Sequence, residues 1–186
     1  DTTPQEPHEL TGQTVAAEVV AAARPGENLV FGASSSIRYA DLAPINPNPG
    51  FCWANRGLAG IDGTVATATG IALVTGAPTT LLLGDLTLQH DLGALAPPEV
   101  GHEACLRVIL LDDHGGTIFA SLEQGQPAFA AAFDRVFRAS QGVELGSVVH
   151  SLGWRTAEVT CIQSLRQMLA RPSSDRELLH IVLGQD

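Results

Sequence analysis

Three aspartates stand where apolar runs stop. Asp85 follows TTLLLG (79–84) and opens DLTLQHDLGAL (85–95); Asp112 and Asp113 follow LRVILL (106–111), with Gly115 and Gly116 just beyond. A carboxylate from each of two neighbouring strand ends, plus a carbonyl from a glycine turn, makes an oxygen-only donor set. Such a set suits Mg²⁺, which keeps several waters and recruits substrate phosphate oxygens. Helix starts and glycine-rich backbone close by can receive phosphates themselves. Asp85 alone also reads as a helix N-cap, a common use of an acid at a strand-to-helix junction.

The elements around these residues alternate. Helical spacing is found in TGQTVAAEVVAAAR (11–24), TVATATGIALVTG (64–76), DLTLQHDLGAL (85–95), PAFAAAFDRVFR (127–138), ELGSVVHSLG (144–153) and CIQSLRQMLA (161–170). Short apolar runs predict strands at NLVFG (28–32), FCWAN (51–55), TTLLLG (79–84), LRVILL (106–111), WRTAEVT (154–160) and LLHIVL (178–183). Ser34, Ser35 and Ser36 read as a helix N-cap cluster after the first strand.

Strands that are apolar throughout are buried on both faces, which is the signature of a parallel sheet covered by helices. The expected fold class is therefore α/β: a doubly wound, mainly parallel sheet of about six strands with helices on both faces. The chain has 186 residues, of which 45% are hydrophobic and 5% aromatic, a balance that suits close helix–sheet packing. Residues 1–10 read as a flexible lead-in and 11–186 as one domain. In such sheets ligands bind beyond the carboxyl ends of the strands. SSSIR, NRGLAGIDG, the Gly84-Asp85 pair and DDHGG all fall at such ends.

Other chemistries lose ground on the same residues. A formal charge of −10 argues against nucleic acid, which needs clustered cations. Cys52, Cys105 and Cys161 are far apart and read as reduced, mostly buried thiols. His8, His102, His150 and His180 lack zinc spacing. His90-Asp91 reads as a polar face of the helix after Asp85, and His114 as a solvated loop residue. There is no G-x-S-x-G elbow, P-loop or G-x-G-x-x-G. No run reaches the length of a membrane span.

Taken together, GASSSIR (32–38), WANRGLAGIDG (53–63), LLGDLTLQHDLGAL (82–95) and DDHGGTIF (112–119) resemble the diphosphate-binding domain of the menaquinone-pathway 2-succinyl-5-enolpyruvyl-6-hydroxy-3-cyclohexene-1-carboxylate synthases. These enzymes depend on thiamine diphosphate and Mg²⁺ or Mn²⁺. The resemblance runs from about residue 11 to 183. It implies that Asp85, Asp113 and the Gly115 carbonyl hold the metal, and that Ile61 props the cofactor. Gly84, Leu86, Gly116, Ile118 and Phe119 would also touch the cofactor. Ser34, Arg38 and Arg56 would line the substrate pocket, where arginines suit carboxylates. Two departures from the wider thiamine pattern stand out: Leu86 in place of Gly, and Asp112-Asp113 in place of Asn-Asn.

The resemblance further implies decarboxylation of 2-oxoglutarate and addition of the remaining unit to isochorismate, in a cytoplasmic homodimer or homotetramer. The carboxylate that activates the cofactor would lie in a separate N-terminal domain, so this chain is expected to be an inactive fragment of a longer multidomain enzyme. Related thiamine carboligases of the acetohydroxyacid synthase type are the nearest alternative. A non-catalytic Mg²⁺-binding α/β module is another, although a phospho-receiver mechanism needs a Lys and the chain has none.

Overall fold

The computed structural model describes residues 9–184 apart from positions 59, 98, 100 and 102. Its strands are β1 (Asn28–Phe31), β2 (Phe51–Ala54), β3 (Thr79–Gly84), β4 (Leu106–Asp112), β5 (Arg155–Glu158) and β6 (Glu177–Val182). They form one sheet in the order β2-β1-β3-β4-β6-β5, and every pair is parallel. All six expected strands are present. β1 and β4 are buried along their whole length, as continuous apolar runs require.

Helices cover both faces. α1 (Gly12–Ala22) and α7 (Ile162–Leu169) pack with Phe31, Leu82, Ile109 and Ile181 on one side. α3 (Thr64–Thr75), α4 (Asp85–Gln89) and α6 (Leu145–Ser151) pack with Leu81, Leu83, Val108 and Leu110 on the other. Alternate residues of β3 and β4 thus feed opposite cores, the period-two geometry of a strand. α2 (Ser35–Asp41) follows β1. Thr11 and Thr14 form a reciprocal capping box at the start of α1, which satisfies two orphan backbone donors.

The chain leaves β1 towards β2 and returns on the other side as β3, so the strand order reverses between β1 and β3. A crevice opens at the carboxyl ends of strands at such a switch point. Ser34–Arg38 follow β1 there and Asp85 follows β3.

Several local expectations are corrected. The helix after β3 ends at Gln89; His90 and Asp91 form a break, and Leu92–Leu95 is a separate 3₁₀ turn. Asp91 is not a passive polar face, because its Oδ2 accepts the Ala66 backbone N–H at 2.9 Å. The stretch 127–138 is not one α-helix but a 3₁₀ turn, a short α5 (Ala130–Phe133) and a π turn over Asp134–Arg138. Ser34 precedes α2 at φ 71° and makes no side-chain cap bond. All three cysteines are free, as expected, but exposed. Cys52 lies on the edge strand β2, whose residues are open to solvent, and Cys105 and Cys161 sit just outside strand or helix. His8, His102, and residues 1–8 of the lead-in lie outside the described residues.

One feature of the core carries no apolar signal in the sequence. Arg107 and Glu177 begin neighbouring buried strands and pair at 2.7 Å with side chains 2% and 4% exposed. Burial pulls the Arg107 guanidinium below its usual value, against the opposing attraction of Glu177. Arg171 adds a second partner to Glu177 at 2.7 Å.

Candidate metal centre

Asp85 is the first residue of α4, with Gly84 as the N-cap, so it does not cap the helix in the usual sense. Its Oδ1 accepts the Leu86 N–H at 2.7 Å. The residue is only 5% exposed, and no basic side chain pairs with it among the described residues. Burial pushes its carboxyl up to about 6; amides of Leu86 and Gly115 oppose the rise, and the charges of Asp113 and Asp112 add to it. A buried acid, flanked by two more acids and hydrogen-bonded by amides, is an arrangement that a cation would stabilise.

Asp113 belongs to the loop after β4. Burial raises its carboxyl as well, against a hydrogen bond from Thr117, whose Oγ1 donates to Asp113 Oδ2. Asp112 differs from its neighbour. Its Oδ2 contacts His180 Nε2 at 2.8 Å and its Oδ1 accepts the His114 N–H at 3.2 Å. Burial would raise Asp112, but these hydrogen bonds outweigh it and hold the carboxyl below its usual range. Asp112 is thus held at both oxygens, by His180 on one side and the His114 backbone on the other.

The turn after Asp113 depends on glycine. Gly115 has φ 121°, a conformation that side chains resist. A Cβ there would run into the Arg138 carbonyl, and one on Gly116 would run into the Phe137 carbonyl. The Gly116 N–H donates to that Arg138 carbonyl at 2.6 Å, and Ser140 Oγ donates to the His114 carbonyl. The segment 134–140 thus lies directly over the glycine pair.

These elements enclose a cleft of about 310 Å³. Ser34 and Arg38 line it from the β1–α2 junction, Ile61 from the loop before α3, and Gly84, Asp85 and Leu86 from the β3–α4 junction. Asp113, Gly115, Gly116, Ile118 and Phe119 close the opposite side. Arg56 does not line this cleft and is exposed. His114 is half exposed, with Nδ1 3.4 Å from Asp112 Oδ1. The Arg38 guanidinium donates to the Ser34 carbonyl at 2.6 Å, so one residue of the SSSIR stretch orders another.

Two carboxylates and one backbone carbonyl fit a hard divalent cation that retains water. The Gly115 carbonyl accepts the Thr117 N–H at 2.9 Å and has a second lone pair to offer. Among the described residues no group of three or more His, Cys, Asp or Glu side chains could hold a metal; Asp85 and Asp113 are two such side chains, and the Gly115 carbonyl makes the third donor. Sequence reasoning missed Thr117, Tyr39 and Leu122 at the cleft, the covering residues Arg138 and Ser140, and His180 behind it. Only contacts across elements reveal them.

Comparison with known proteins shows what the chain is similar to. The chain is 45% identical over 179 residues to the 2-succinyl-5-enolpyruvyl-6-hydroxy-3-cyclohexene-1-carboxylate synthase of Renibacterium salmoninarum, covering 93% of this chain and 32% of that protein. The chain is a homologue of this synthase family. The synthases of Mycolicibacterium smegmatis and Kineococcus radiotolerans are 43% and 41% identical, covering 76% and 95% of this chain. The chain spans about a third or less of the synthases it matches. No protein-family profile matches it. In structure it resembles benzoylformate decarboxylase from Polynucleobacter necessarius, with a TM-score of 0.71 and 17% identity over 100% of this chain and 34% of the other. That likeness bears on the fold.

Proposed function

We propose that this chain is the diphosphate- and metal-binding half of a thiamine-diphosphate-dependent synthase of the menaquinone pathway. Asp85, Asp113 and the Gly115 carbonyl would hold Mg²⁺ or Mn²⁺. The single observation that carries this reading is Asp85: a buried carboxylate beside two other acids, hydrogen-bonded by amides and with no basic side chain paired to it among the described residues. The synthase relatives support the same reading through the length of their match.

When bound, thiamine diphosphate would supply the nucleophilic carbon and the electron sink that decarboxylation of a 2-oxo acid requires. This chain's residues do the rest of the positioning. The α4 start and the Gly115-Gly116 turn receive the diphosphate with its metal. Ile61, Ile118 and Phe119 give the cofactor an apolar wall and keep water from it. Ser34, Arg38 and Arg56 face the substrate carboxylates, with 2-oxoglutarate and isochorismate as the substrates of the whole enzyme. Arg56 reaches that role from outside the present cleft, as a residue of the loop between β2 and α3.

No described residue of the cleft is placed as a general base for the cofactor ring, so the activating carboxylate belongs to another domain of the enzyme, contributed across a homodimer or homotetramer in the cytoplasm. The chain by itself is then a binding half without turnover. Residues 11–186 act as one unit of a longer multidomain protein.

Calorimetric titration of thiamine diphosphate into the chain, with and without Mg²⁺, tests this. Heat that requires Mg²⁺ and vanishes in Asp85→Ala supports the assignment. Product formation from this chain alone, or metal-independent binding that survives Asp85→Ala, overturns it.

A further inference from the structure

Asp112 and Asp113 are adjacent in sequence and do opposite things. Asp112 is the last residue of β4, in register with Val182 of β6. Its side chain is held at both oxygens: Oδ2 by His180 Nε2 at 2.8 Å, and Oδ1 by the His114 N–H at 3.2 Å. Its carbonyl accepts the Leu183 N–H at 2.8 Å. Asp113, one residue later, lines the cleft. We propose that His180 is a positioning residue of the metal centre: it keeps the Asp112 carboxylate turned to β6, so that the loop presents Asp113 and Gly115 to the cation.

The inference rests on reading the cleft as a metal site. His180 and Asp112 are nearly buried, with side chains 14% and 12% exposed. If the imidazole is removed, one carboxylate oxygen loses its donor while Asp85 and Asp113 remain within electrostatic range. A buried carboxylate oxygen without a donor is costly, even with the His114 N–H still on the other oxygen. It relieves that cost by rotating towards solvent or the cation, and either motion drags His114, which sits at φ 59° with its N–H on Asp112. Asp113 and Gly115 flank His114, so the ligand set shifts with it. His180 itself does not line the cleft. Partners that orient ligands without binding metal typically change metal affinity by about 10–100-fold when removed.

The test compares the 186-residue chain with His180→Leu, His180→Gln and Asp85→Ala. Gln carries an amide nitrogen at the reach of Nε2 and should keep the bond to Asp112. Mn²⁺ is titrated by electron paramagnetic resonance well below each melting temperature, and hydrogen exchange is followed over residues 112–117. Expected are at least about tenfold weaker Mn²⁺ binding and faster exchange of 112–117 in His180→Leu, with both restored in His180→Gln. A lowered melting temperature with unchanged Mn²⁺ affinity and unchanged exchange would show a purely structural role and overturn the proposal. So would a Gln variant no better than Leu. Should wild type bind no Mn²⁺ while exchange still separates Leu from Gln, the metal reading falls and the positioning of the loop stands. If His180→Leu does not fold, His180→Ala, which cannot reach Asp112 either, takes its place.

Discussion

The Asp91 carboxylate accepts the backbone N–H of Ala66 at 2.9 Å, so α3 is capped from outside by the break that follows α4. The helix's own N-cap is Gly63, which has no side chain to offer. The contact ties the start of α3, just after the Ile61 loop, to the element that begins at Asp85. Asp91→Ala should lower unfolding free energy by about 1 kcal/mol, as for loss of an ordinary N-cap. Asp91→Asn should keep most of it. Urea unfolding of the two variants checks the difference.

Asp85 should make the metal-free chain less stable at neutral pH than it could be. Its carboxyl is raised from 3.8 to about 6 in the folded protein. Between those values the folded state holds a proton that the unfolded state has lost, so stability falls as pH rises from about 4 to about 6 and then levels off. The loss is of order 3 kcal/mol. Asp85→Asn should therefore melt higher than wild type at pH 7.5 and nearly alike at pH 4. Added Mg²⁺ should raise the melting temperature of wild type and leave the variant unchanged. A variant that melts lower at pH 7.5 would show that the carboxylate is not destabilised there.

Much of this was legible in the residues. Mainly apolar runs such as TTLLLG and LRVILL, short and alternating with helical segments, point to buried parallel strands, and an acid immediately after such a run lands at the carboxyl edge of the sheet. What stayed hidden depends on neighbours in space. The cysteines read as buried because apolar segments surround them, but β2 is an edge strand and exposes Cys52. His90-Asp91 fitted a helical pattern that the backbone abandons at Gln89. Arg56, placed by resemblance with Arg38, lies off the cleft that Arg38 lines. His180 has no spacing relation to Asp112; only the pairing of β4 with β6 brings them together.

The Arg107–Glu177 pair illustrates the same limit and gives a third prediction. Each charge stands at the start of a strand, where sequence alone suggests solvent, yet both side chains are buried. Removing one partner strands the other, at a cost of about 3–5 kcal/mol. Glu177→Leu should be the harsher single change, because Arg107 loses its carboxylate and Arg171 and Arg155 lose a shared acceptor. Arg107→Met combined with Glu177→Leu should lose less than the two singles summed, which a double-mutant cycle in urea would measure.

Gly115 supplies the last prediction, because its replacement acts on the site and the fold together. At φ 121° an alanine is strained on its own account. Its methyl would also meet the Arg138 carbonyl, and Ser140 Oγ at 3.0 Å. A backbone carbonyl cannot swing aside as a side-chain tip can, so the segment 134–140 must lift. Gly115→Ala should cost about 2 kcal/mol or more and speed trypsin cleavage at Arg138, which is half-buried in the folded chain. Mn²⁺ binding should weaken in step, since Gly115 moves with its carbonyl. Gly57→Ala, where an added methyl meets nothing within 4 Å, is the matched control and should change neither cleavage nor binding. Equal cleavage rates in the two variants would mean that segment 134–140 does not rest on the glycine turn.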